Sequence, residues 1–292
     1  MSLSFTTVPG GFTGNNLPVS STRGGQAVDI TSPEFHASAA AGLIPGATVQ
    51  LMAGHASGLT TAVTAVAPVT ICDQGTLYPF LAAAATLQIV STSALDTAAG
   101  TGLRTVLVKG LDAGFNPISE TLTLNGVTPV NTVNQYLRVN KVQGITAGTG
   151  TTNAGIVTLS LVGGGSPQAV IPAGIGEAQA AVFTVPTGFV ALLTGVQYSI
   201  NGSATAAAYG EAAVAFRANG NTCTITGVRA SLTSGFPYSQ LVGINTIRHS
   251  AGTDFSLRMI QVGQAATEIS GSFTMMLLDL NYFPTIYTPS NL

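Results

Sequence analysis

The chain has 292 residues, of which 46% are hydrophobic and only 7% charged, with a formal net charge of −2; ordinary globular chains are roughly a quarter charged. Nine Lys and Arg scattered singly build no field for a phosphate backbone, which excludes nucleic acid as a partner. The high apolar fraction excludes a disordered chain, and a surface this poor in charge suits a subunit covered by neighbours better than a free monomer.

Residues 1–47 are punctuated by Pro9, Pro18, Pro33 and Pro45 and by the pairs Gly10-Gly11 and Gly24-Gly25, which argues against long regular elements. Phe5, Phe12, Leu17 and Phe35 are apolar anchors that a flexible linker would lack. The segment therefore reads as an extended arm that docks, on a partner or back over its own domain. Residues 1–20 have neither a basic start nor a continuous apolar core, so no secretory leader is expected. No run approaches the roughly 18–20 apolar residues of a membrane helix, so no membrane partner is expected either.

A first β domain is expected over residues 48–165. Candidate strands cover 48–52 and 60–66, the alanine-rich run 80–87 suits a turn or two of helix, and 87–92 alternates again. Within the central stretch 96–161, residues 104–109 and 118–124 both carry the period-two pattern of half-buried antiparallel strands. In the first, Val106 and Val108 alternate with Thr105, Leu107 and Lys109; in the second, Ile118, Leu122 and Leu124 share a face. Asn125-Gly126 is the residue pair of a tight hairpin turn. Two further runs, 136–142 and 156–161, complete a small antiparallel sheet.

The three consecutive glycines Gly163-Gly164-Gly165, followed by Ser166-Pro167, form the strongest linker signal and place a domain boundary there. In the second domain, 166–292, strand-like runs recur at the spacing of a β-sandwich. Around 190–200, Leu192, Val196, Tyr198 and Ile200 are expected on one face, with Ala191, Leu193, Gln197 and Ser199 on the other. The last strand, SFTMMLLDL, is apolar on both faces, so it is central in a sandwich or covered by a neighbouring subunit. The tail carries Tyr282, Phe283, Ile286 and Tyr287 and resembles a docking segment.

Two stretches carry a family resemblance. AAGTGLRTVLVKGLDAGFNPISETLTLNG, with YLRVN and AGTGTTNAGIVTLS after it, resembles a module of tailed-bacteriophage virion proteins. VFTVPTGFVALLTGVQYSI resembles the opening strands of jelly-roll-like sandwiches in such proteins, where a Val-Pro-x-Gly corner joins two strands. The resemblance implies an all-β virion component of jelly-roll type. Cement proteins of that group are commonly trimers, so it also implies a homotrimer on the major capsid protein.

The residues offer little catalytic chemistry. Asp96 and Asp112 sit in turns and read as Asx-turn residues, and Glu120 is expected to pair with Arg138 or Arg104 across strands. His36, His55 and His249 have no Gly-x-Ser-x-Gly neighbour and no metal spacing. Facing carboxylates of glycosidase type stay open, because spacing cannot exclude them. Cys72 and Cys223 match no metal motif and read as unpaired buried thiols, a disulfide being the alternative. The expectation is a non-enzymatic protein without cofactor or metal, all-β, built of antiparallel β-sandwich or jelly-roll-like domains with an extended N-terminal arm. It would be made in the host cytoplasm and serve as a capsid decoration protein at the virion surface. A glycan-recognising tail protein and a head–tail adaptor or tail-tube component are the alternatives. The candidate contact residues are Phe5, Phe12, Leu17, Phe35, Tyr282, Phe283, Ile286 and Tyr287.

Overall fold

Antiparallel strands fill most of the computed structural model, which describes residues 33–202, 207–218, 224–241 and 248–283. One sheet has the order β1 (Ala47–Leu59), β17 (Thr267–Asp279), β11 (Phe189–Asn201) and β14 (Tyr238–Leu241), with β15 (Arg248–His249) also on β11. The facing sheet has the order β10 (Val182–Thr184), β16 (Asp254–Val262), β12 (Tyr209–Arg217) and β13 (Thr224–Thr233), with β2 (Val69–Thr70) also on β16. Counting β2 with β10 and β14 with β15 as single positions, the two sheets read 1-8-3-6 and 2-7-4-5. That is the jelly roll, two Greek keys folded into facing sheets.

Its core lies between the sheets, where alternate residues of each strand meet: Ile269, Phe273, Met275 and Leu277 of β17 face Val214, Phe255, Leu257 and Met259. On β11 the expected faces hold only in part. A register shift between Leu193 and Gly195 inverts the phase, so Ala191 and Leu193 join Val196, Tyr198 and Ile200 in the core while Leu192 turns outward. The Val-Pro-x-Gly corner joins β10 to β11 as the resemblance implies, with Gly188 at φ 84°.

The doubly apolar last strand is central, between β1 and β11, and its outer face is covered from within the chain. Met276 and Leu278 pack under the helix α1 (Pro33–Ala40), with Phe35, Ala39, Ala47 and Leu192. This helix corrects the reading of an irregular segment up to residue 47. Pro33 takes the first helical position, where no N–H is needed. At the other end, Leu43 N–H reaches Ser38 O and Gly42 N–H reaches Ala39 O, a Schellman closure with Gly42 at φ 72°.

The second unit is a sandwich inserted into one strand of the jelly roll. One sheet has the order β6 (Val130–Tyr136), β3 (Ala85–Ser91), β8 (Val157–Leu161) and β9 (Ala169–Ile171); the other has β5 (Pro117–Thr123), β4 (Leu103–Leu111) and β7 (Arg138–Ala147). Leu87, Ile89, Val106, Val108, Leu122 and Leu159 close its core. The small single sheet expected here is thus two sheets. Asn125-Gly126 turns the chain as expected, with Gly126 at φ 60°, but leads from β5 to β6 in the other sheet rather than closing a hairpin.

Several boundaries differ from the sequence reading. The three glycines, all at positive φ, form the turn of the β8–β9 hairpin, so no domain boundary falls at 165. The jelly roll instead uses chain from both sides of the insert. Ile71 N–H donates to Leu257 O, Leu257 N–H to Ala181 O, and Ala181 N–H to Ile71 O, all at 2.8–3.0 Å. One strand position is therefore opened at Ile71 and re-entered at Ala181, and the two legs pair at Cys72 and Ala180 to form a stem. Gly54 lies beneath this crossing, where a Cβ would collide with Ile71 O and Ala181 N. Residues 60–66 form turns beyond β1, and 80–84 are irregular rather than helical. Ala82 to Ala84 make no helix because the chain there leaves the stem and bends directly into β3.

Candidate functional site

The polar groups worth attention gather at three places: the joint between the two sandwiches, the stem, and the loops at the far end of the insert. At the joint, Asp254 of β16 is fully buried and accepts four hydrogen bonds. Arg138 of β7 forks onto it through Nε at 2.6 Å and Nη2 at 2.9 Å, Thr184 Oγ1 donates at 2.6 Å, and Arg217 Nε donates at 3.0 Å. Arg138 is itself 3% exposed and gives its other nitrogen to the carbonyls of Leu81 and Leu137. Both guanidinium groups lie over the Phe80 ring, Arg138 at 5.4 Å and Arg217 at 5.1 Å from its centroid. Asn140 exchanges two hydrogen bonds with the Thr184 backbone, and Thr187 holds the 114–115 loop. A bidentate pair satisfied on all sides fixes the angle between two bodies more sharply than apolar packing does.

At the stem, His55 of β1 stands between Glu268 Oε1, 2.7 Å from Nε2, and Asp73 Oδ1, 3.4 Å from Nδ1. Burial alone would depress its pKa, but these hydrogen bonds and charges outweigh it and raise the imidazole above its ordinary value. With both ring nitrogens taken, no nitrogen is left to activate a serine hydroxyl. His249 is boxed between Phe216 and Phe255, and burial pushes its pKa down to about 4. Cys72 is a free, buried thiol pushed up to about 11 by burial, which makes it a poor nucleophile; Cys223 lies outside the described residues. Among the described residues, no group of three His, Cys, Asp or Glu side chains is arranged to hold a metal ion.

At the far end of the insert, two buried side chains tie the loops together. Asp96 accepts the N–H groups of Leu103, Ala154 and Gly155 at 2.7–2.9 Å and the Ser91 hydroxyl at 2.6 Å. Burial would raise this carboxyl, yet the four donors hold it below the ordinary carboxylate range. Asn153 reaches the carbonyls of Gly155, Ile171 and Pro172 and accepts from Gly176 N–H. Asp96 is therefore far more than the local Asx turn expected of it, whereas Asp112 is one, accepting from Gly114 and Asn116. The loops so fixed expose Leu95, Val127 and Ile156. Glu120 pairs with neither arginine; it accepts the N–H groups of Val133 and Asn134 across to β6, because Arg138 is committed to Asp254.

Of the eight candidate contact residues, Phe5, Phe12, Leu17, Ile286 and Tyr287 lie outside the described residues. Phe35 is buried, edge-on to Phe283 at 6.3 Å, and both seal the outer face of the β1–β17–β11 sheet. Tyr282 is 62% exposed. The start of α1 and the end of the described chain thus sit side by side. Nothing in the sequence marked Arg138, Asp254 or His55 as partners, since the members of each set lie far apart along the chain.

The sequence matches no protein-family model and no curated protein. Among solved structures, the chain overlaps that of the infectious bursal disease virus Gt strain with 11% identity and a TM-score of 0.24, covering 82% of this chain and 75% of that one. The VP2 subviral particle of infectious bursal disease virus gives 13% identity and 0.24, over 82% and 74%. The mosquito-larvicidal Cry4Aa toxin from Bacillus thuringiensis gives 8% and 0.23, over 80% of this chain and 57% of the toxin. TM-scores this low define no common fold, and the strand order described above stands by itself.

Proposed function

We propose that this chain is a non-enzymatic structural subunit of a virus particle, specifically a decoration protein that binds the outer shell of a tailed-phage head and stabilises it. The observation that carries the reading is a jelly roll holding a second sandwich at a fixed angle through a buried ion pair, with loops at its far end that are pinned by a buried carboxylate and expose apolar side chains. Rigid, charge-poor surfaces of this kind suit permanent burial against neighbours, where apolar area contributes about 25 cal/mol per Å² before association costs. The partners in this reading are the major capsid protein and two further copies of the chain, in a homotrimer. Residues 1–32 and 284–292 make the particle contact together with Tyr282, which agrees with the adjacent positions of Phe35 and Phe283.

The test is co-sedimentation of the purified chain with capsids that lack it, followed by cryo-EM of the decorated particle. Expected is density between capsomers, lost when residues 1–32 and 284–292 are removed while the sandwiches stay folded. Full occupancy by the truncated chain sinks the docking role of the termini. Density confined to the tail sinks the decoration reading in favour of a receptor-binding or adaptor component.

A further inference from the structure

His55 sits where both legs of the stem meet the jelly roll, and its surroundings demand two protons. Glu268 belongs to β17, and Asp73 to the outgoing leg. The second oxygen of Asp73 accepts Gln179 N–H at 3.0 Å, from the returning leg. The Gln179 carbonyl in turn accepts the backbone N–H groups of His55 at 3.4 Å and Asp73 at 3.2 Å. The imidazole thereby joins two jelly-roll strands to the outgoing leg, and the Asp73 carboxylate carries the link on to the returning leg.

Ionised carboxylates only accept hydrogen bonds, and a neutral imidazole has a single N–H to donate. The neutral ring would satisfy one carboxylate and turn a lone pair towards the other; the imidazolium satisfies both. The charged groups that face His55 are Glu268 from β17 and Asp73 from the stem. Among the described residues, no lysine or arginine pairs with either carboxylate in place of His55.

We propose that His55 is a proton-operated clamp on the stem: doubly protonated, it ties the outgoing leg, and through Asp73 the returning leg, to the jelly roll, and on losing one proton it releases a carboxylate and loosens the stem. This inference is independent of the virion reading. The direction follows from the raised imidazole. The clamp is fully engaged below the ordinary histidine value and is lost as pH rises through the higher folded value. On the acid side, burial raises the Asp73 carboxyl, so falling pH neutralises that arm of the clamp above the ordinary aspartate value. The Arg138–Asp254 fork holds the insert at a separate point, the joint.

The experiment is hydrogen exchange of the full chain at pH 6.0 and 8.5, corrected for intrinsic exchange chemistry, read at amides 72–73 and 179–181. Corrected stem protection should fall roughly two- to fivefold at the higher pH, the size expected of partly exposed ion pairs, while Val106 and Val108 in β4 stay unchanged. H55Q should abolish the pH dependence. E268Q, which keeps the fold and the ring but removes one charge, should move the midpoint to lower pH. Equal stem protection of the wild type at both pH values overturns the clamp. So does a pH dependence that survives H55Q, or, if H55Q does not fold, a midpoint unmoved in E268Q.

Discussion

Replacing Asp254 by alanine removes the acceptor for two guanidinium groups and leaves that of Arg138 with no counter-charge at 3% exposure. Breaking a buried pair from one side costs about 3–5 kcal/mol, because the remaining charge has lost water and gained nothing. At roughly 2–4 °C per kcal/mol for a chain of this size class, the melting temperature should fall by about 6–20 °C. The contrast with Arg217 makes the test specific. Its side chain is 31% exposed and gives Asp254 a single bond at 3.0 Å, so R217M should cost about 1 kcal/mol or less. The double variant R138M/D254L, which replaces the pair by apolar groups, should recover most of the loss. Denaturant unfolding followed by circular dichroism measures all of these. A cost below about 1 kcal/mol for D254A, or an R217M cost equal to that of R138M, would refute the view that one desolvated fork fixes the joint.

Three further outcomes are expected. Replacing residues 73–179 by a short Gly-Ser link should leave a jelly roll that still unfolds cooperatively, because Ile71 and Ala181 are already joined by a 3.0 Å hydrogen bond; loss of the sheet signal in circular dichroism would contradict this. D96A should destabilise the insert by about 2–4 kcal/mol, since several buried N–H groups lose their acceptor. In the wild type, the depressed Asp96 carboxyl makes this contribution present above the ordinary carboxylate value and lost as pH falls through the lower folded one, measurable in acid melts monitored at β3. F35A should cost about 3–5 kcal/mol in thermal melts through the void left against Met276, Leu278 and Phe283.

Much of the secondary structure was legible because strands announce themselves locally. Leu122 and Leu124 alternate with polar neighbours in the sequence, Val106 and Val108 with the less buried Thr105, Leu107 and Lys109, and all four are buried in the fold. The Asp112 turn and the corner at Gly188 were equally local. The misreadings have the opposite character. Gly163-Gly164-Gly165 is as good a hairpin turn as a linker, and only the pairing of Val157 with Ile171 decides between them. The bulge after Leu193 leaves no mark in composition, yet it exchanges the faces of half a strand. β6, polar at most positions, is recognisable as a strand only beside Ala85 and Ile89 of β3.

Composition, alternation and turn residues therefore determined by themselves that this is an all-β chain of half-buried antiparallel strands with a charge-poor surface. Each depends on residues within a few positions of one another. The tertiary structure alone decided that one strand opens at Ile71 to admit a second sandwich, that Arg138 meets Asp254, and that His55 stands between Asp73 and Glu268. Those pairs are separated by 116, 18 and 213 positions, and a bond across such a distance is fixed by how sheets stack, which no local pattern encodes.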